Sequence, residues 1–167
     1  MTYRTVGPGI AGHQPIASTS TEKLHPLGTI IQAADPTYGS AEFIYLKGVA
    51  STTVGSIVSY SGVTYQTALG YAGENVAGPM AISMSANVAS QYGWYQISGL
   101  AVASKACTVS FAPLAKVAVS STTGLAVATL SGNELQGAMV SAVASATAGR
   151  TTVTLVVNRP HTQGRVS

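Results

Sequence analysis

The sequence predicts an all-β protein: a compact sandwich or barrel-like body with extended N- and C-terminal arms. Three observations predict it. Apolar residues recur with a period of two through the middle of the chain. Four-residue turns containing Gly separate pairs of these runs. The Ala-rich stretches that would suit a helix carry Ser and Val and have no charged face. About seven to ten short strands and at most one short helix are expected.

The elements follow in chain order. Residues 1–27 show no hydrophobic period and hold Pro8, Pro15, Pro26, Gly7, Gly9 and Gly12. Pro and Gly at this density stop a helix and interrupt a strand ladder, so the segment reads as an extended arm. The β-rich body spans residues 28–157. Phe43, Ile44, Tyr45 and Leu46 are apolar on both faces, as in a strand covered on both sides. Residues 56–60 and 65–69 flank Ser61-Gly62-Val63-Thr64 and form a hairpin. Met80, Ile82 and Met84 alternate with Ala81, Ser83 and Ser85, which predicts a strand with one buried face. Ser85 caps the short-helix candidate, residues 85–92. A strand over 94–100 follows Gly93. A second hairpin joins 116–120 to 125–130 through Ser121-Thr122-Thr123-Gly124, and strands over 136–143 and 151–157 close the body. Residues 158–167 form a C-terminal tail, with Pro160 and Gly164 as breakers.

Charge is scarce. Eight Lys and Arg and five Asp and Glu make 8% of the 167 residues, where roughly 25% is ordinary for a soluble protein. Mean hydropathy is +0.32. No apolar run reaches the ~18–20 residues of a membrane-spanning helix, and the first residues lack the apolar core of a secretory signal, so neither membrane insertion nor secretion is expected. The basic balance reflects missing acids, not a basic patch, so no nucleic-acid partner is expected. A surface this poor in charge suits a chain covered by partners, because charge is depleted at interface cores. A Ser- and Thr-coated soluble β protein is the alternative.

Catalytic and metal chemistry find few residues to use. Asp35 is the only Asp, and Pro36 after it marks it as a turn starter. His13, His25 and His161 all lie in the arms and have no short ligand spacing, so neither a Ser/His/Asp triad nor a metal site is expected. The lone Cys107 reads as a small buried residue in an apolar stretch. No cofactor and no enzymatic activity are expected.

The contact candidates are of three kinds. Tyr3, Val6, Ile10 and Ile16 are apolar anchors spaced along the N-terminal arm, and Arg4 offers a charge-assisted bond. Fully extended, that arm could reach ~80–90 Å at ~3.3 Å per residue, enough to cross onto a neighbouring subunit and become ordered there; its alternative is to fold back on its own body. Arg159, His161 and Arg165 offer a second contact from the tail. Trp94 and Tyr95, in the densest aromatic cluster, read either as core fillers or as interface anchors.

The run Tyr92-Gly93-Trp94-Tyr95-Gln96-Ile97-Ser98-Gly99-Leu100-Ala101-Val102-Ala103 resembles a segment of the head decoration (cement) proteins of tailed bacteriophages. Leu27-Gly28-Thr29-Ile30-Ile31-Gln32-Ala33, Gly39-Ser40-Ala41-Glu42-Phe43-Ile44-Tyr45-Leu46 and Val156-Val157-Asn158-Arg159-Pro160-His161 resemble the same group. The resemblance spans most of residues 28–161. It implies a β-rich, non-enzymatic virion protein, made in the host cytoplasm, that binds the major capsid protein on the exterior of the assembled head as a homo-oligomer, trimer favoured over dimer. A carbohydrate-binding β module of a phage tail or fibre stays open as the other reading.

Overall fold

The computed structural model describes residues 3–5, 12–70, 77–106, 108–120, 123–129, 134–144 and 151–163. These residues hold twelve strands and no helix. In chain order the strands are β1 (Arg4–Thr5), β2 (Thr19–Ser20), β3 (Ile30–Asp35), β4 (Gly39–Lys47), β5 (Ile57–Tyr60), β6 (Thr67–Leu69), β7 (Ala77–Ser83), β8 (Tyr92–Ser104), β9 (Lys116–Val119), β10 (Ala126–Ala128), β11 (Glu134–Val140) and β12 (Thr152–Gln163). They form one antiparallel sheet in the order β1-β3-β4-β8-β7-β12-β11-β9-β10, which packs on itself. β2 joins β8, and the β5–β6 hairpin joins β7.

β8 is the spine because it is long and changes partner along its length. One edge pairs with β4 from Tyr92 to Ser98. The other edge meets β2 at Tyr92 and Gly93, β7 at Tyr95 and Gln96, and β12 from Ser98 to Ser104. A twisted sheet whose central strand exchanges partners can curl until its faces enclose a core. Three clusters fill it. Val117, Leu135, Val140, Val153 and Leu155 pack with Ile57, Met80 and Ile82 at the β9–β12 end. Phe43, Tyr45, Trp94, Met84 and Ile16 pack at the other end. Ile44, Leu46, Val58, Tyr95 and Ile97 pack beneath the β5–β6 hairpin.

Several expectations meet the structure directly. Both predicted hairpins form, with β5–β6 flanking residues 61–66 and β9–β10 flanking 120–125. Phe43, Ile44, Tyr45 and Leu46 are buried on both faces of β4. Asp35 starts the turn after β3: its Oδ1 accepts from the Thr37 and Tyr38 amides at 2.8 and 3.1 Å.

Other expectations are corrected. No helix forms over 85–92. The Asn87 amide turns back to the Ser85 carbonyl at 2.8 Å, the Gln91 carbonyl accepts from Gly48 N at 2.8 Å, and Ser90 takes φ +62°. Tertiary bonds to the loop outweigh a weak cap. β7 is covered on both faces, because Ala81 and Ser83 are as buried as Met80 and Ile82. The body does not end at residue 157, since β12 runs on through Pro160 to Gln163. A bulge allows this. The β11–β12 register shifts between Gln136 and Ala138, with Gly137 at φ +71° opposite Asn158 and Arg159 at φ +47°. Pro160 follows within that irregular stretch, where the ladder does not require its missing donor.

Candidate interaction surfaces

The described part of the N-terminal segment lies on the body. It is irregular apart from β1 and β2, as its Pro and Gly content predicts. β1 adds to the edge of β3 through Arg4↔Ala34 and Thr5↔Ala33. The Tyr3 ring meets Phe43 edge-on at 4.9 Å, and its hydroxyl donates to the Leu100 carbonyl at 3.1 Å. Burial pushes that hydroxyl up to about 12. Ile16 is only 5% exposed.

Gln14 holds this segment in place. Its side-chain oxygen accepts from the Tyr45 hydroxyl at 2.9 Å, and its amide nitrogen donates to the Ser18 and Tyr92 carbonyls at 2.6 and 3.2 Å. Its backbone carbonyl accepts from the Trp94 indole at 2.9 Å, and its backbone N–H donates to His25 Nε2 at 3.1 Å. A buried amide in a Pro-rich arm therefore has every polar group engaged. Nothing in the linear pattern marks Gln14, because its partners lie up to 80 residues away.

The predicted contact residues do not form one site. Trp94 and Tyr95 are completely buried, so as candidates for touching a partner they are corrected to core residues. Trp94 joins Tyr45 and His25 in an aromatic cluster, while the Tyr95 hydroxyl accepts from Asn87 Nδ2 at 2.9 Å and is pushed up to about 12 by burial. Tyr3 and Ile16 pack against the Trp94 cluster, and Arg4 is exposed beside them. Arg159 and His161 are exposed on β12. Val6, Ile10 and Arg165 lie outside the described residues, as does Cys107.

The register reveals a surface that was not predicted. Directly paired residues of an antiparallel sheet point to the same side. Gln32, Glu42, Ser98 and Asn158 pair in succession across β3, β4, β8 and β12, forming one polar row. Arg159 reaches back to Glu42 at 3.1 Å, and these residues with Ser40 line a cleft of about 640 Å³. Burial raises the nearby Tyr60 hydroxyl above its usual range, partly offset by the Arg159 charge. Two residues further along the same side, Leu100, Val156 and Met139 pair in succession across β8, β12 and β11. Met139 is 43% and Val156 38% exposed, while their chain neighbours Val140 and Leu155 are fully buried on the opposite side. The apolar row thus lies open beside a polar one. The nearest charges are self-neutralised in the Arg159–Glu42 pair and in Lys116–Glu134, at 2.8 Å beyond Met139. A sequence signal was present: Leu100-Ala101, Met139-Val140 and Val156-Val157 are adjacent apolar residues, the mark of strands covered on both sides, yet one side has no cover from the described chain.

Comparison with protein-family models, curated proteins and solved structures returns no match.

Proposed function

We propose that this chain is a capsid decoration protein that binds the outside of an assembled phage head through its open sheet face. The observation that carries this reading is the in-register row Leu100–Val156–Met139, left open between ion pairs that cancel their own charge. A neutral apolar strip with a polar border has the anatomy of a protein–protein interface, and it offers little to a nucleic acid. The scarcity of charge over the whole chain and the segments that resemble cement proteins support the same reading. The partner is the major capsid protein, and the binding unit is a homo-oligomer, a trimer in preference to a dimer. Weak single contacts suffice there, because linked copies on a lattice gain avidity. Mixing the purified chain with heads that lack it, then sedimenting the particles, should bring the chain down at a saturating ratio to capsid subunits. A chain that stays in the supernatant overturns the reading.

A second reading has its own observation. The cleft of Gln32, Ser40, Glu42, Ser98, Asn158 and Arg159 offers donors and acceptors in a charge-balanced row, the chemistry that pairs with sugar hydroxyls. Calorimetric binding of oligosaccharides, lost in Asn158→Ala and retained in Met139→Asp, would favour a carbohydrate-binding module of a tail or fibre.

A further inference from the structure

We propose that the segment around Gln14 is a latch that acid releases: protonation of His25 removes the acceptor holding the Gln14 backbone N–H and frees the segment from the aromatic floor of β4 and β8.

The geometry fixes the protonation state of the closed latch. Gln14 N–H donates to His25 Nε2 at 3.1 Å, so that nitrogen must carry a lone pair. The closed form therefore requires a neutral imidazole with its proton on Nδ1. A second proton turns both ring nitrogens into donors and sets one N–H against another. The ring has little room to turn away. It is 6% exposed and is held edge-on to Tyr45 at 5.1 Å and tilted against Trp94 at 5.4 Å.

The surroundings also disfavour a charge on this ring. From β4 the titratable neighbour is Tyr45, whose hydroxyl is committed to Gln14 Oε1. From β8 it is Tyr92, stacked behind Tyr45 at 6.4 Å. From the latch it is His13, whose positive charge repels a second one. Glu22 and Lys23 precede His25 on its own segment and are exposed. Burial first and His13 second hold the His25 pKa below 6.5. Attraction of a cationic ring to Trp94 works the other way, but it leaves the Gln14 N–H without an acceptor.

The sign follows from linkage. The folded pKa lies below the free value, so the open form binds more protons. The latch is fully closed above about pH 6.5 and loosens as the pH falls through the lowered pKa. Opening lifts Gln14 away from the Trp94 indole and the Tyr45 hydroxyl and carries Ile16, two residues on, out of the apolar cluster it shares with Trp94. It bares an aromatic surface that the closed chain hides. This inference is independent of the capsid reading.

Trp94 is the only tryptophan and donates to the latch, so its emission reports the state directly. Lowering the pH from about 8 to about 4.5 should shift the emission to the red with a midpoint below 6.5, while far-ultraviolet circular dichroism keeps its β signature. His25→Gln supplies a non-titrating acceptor and should abolish the shift. His13→Asn should keep the shift and move its midpoint upward. In the wild type, the protection factor of the Gln14 amide, its intrinsic exchange rate at each pH divided by the observed rate, should fall at least tenfold over the same pH fall, while amides in the centre of β8 stay protected. That measurement decides the matter even if His25→Gln fails to fold. The proposal is overturned if the emission does not move, if the shift persists in His25→Gln, or if Gln14 and β8 lose protection together.

Discussion

Gln14→Ala gives the sharpest stability prediction, because it removes three bonds at once and strands a buried hydroxyl. The lost contacts run from the side chain to the Tyr45 hydroxyl, the Ser18 carbonyl and the Tyr92 carbonyl. Each is worth about 1 kcal/mol net. The Tyr45 hydroxyl keeps only the Leu24 amide at 3.4 Å as a donor to it and has no acceptor left, which adds roughly 1–3 kcal/mol. The expected cost is therefore roughly 4–6 kcal/mol, capped at the free energy that docks the segment. Urea unfolding followed by Trp94 emission measures it. Tyr45→Phe removes the stranded group, so the double variant should be no less stable than Gln14→Ala. The coupling energy of the cycle should be about 1–2 kcal/mol, well above the ~0.5 kcal/mol scatter of independent sites. A loss below about 1 kcal/mol for Gln14→Ala, with additive single effects, would refute the account of the docked segment.

The other predictions concern the bulge and the buried tyrosines. Gly137→Ala should lower stability by roughly 2–4 kcal/mol, since φ is +71° and a Cβ would lie 2.5 Å from the Asn158 carbonyl oxygen; an unchanged Tm would contradict the bulge. Tyr3 and Tyr95, both pushed up to about 12, should ionise late in an ultraviolet titration, well above the ordinary tyrosine value of 10.0. Their folded pKa values are raised, so the stability they lend is full below about pH 10 and is lost as the pH climbs towards 12. Tyr3→Phe should cost about 1 kcal/mol, the bond to the Leu100 carbonyl, and should remove one late-ionising group from that titration.

The fold was legible where a local signal and the tertiary structure agree. Gly62 and Gly124 sit in turns between alternating runs, and both hairpins form. The doubled apolar run at Phe43–Leu46 marks a central strand, and β4 does lie between β3 and β8. Failures came where distant residues decide. β1 and β2 are two-residue strands made by docking against Ala33, Ala34, Tyr92 and Gly93, so no local period exists to find. Pro160 breaks a regular ladder but sits next to a bulge created by Gly137 on another strand. Trp94 could be weighed as core or contact from sequence, but only the burial around it decides for the core. The open face needed register, because Leu100, Val156 and Met139 become neighbours only once three strands are paired.

The central claim is that this open face seats on the capsid, and a paired substitution there tests it most directly. Met139→Asp with Val156→Asp places two carboxylates in the middle of the apolar row, at positions already in solvent. Circular dichroism should keep its β signature and the urea midpoint should fall only modestly, because substitutions at solvated positions cost about 0.5 kcal/mol each and the facing carboxylates add about 0.2–1 kcal/mol. Co-sedimentation with heads should weaken by roughly 30-fold or more, the loss expected when an interface centre forfeits about 2 kcal/mol or more. A variant that folds normally and still binds heads with wild-type affinity contradicts the claim.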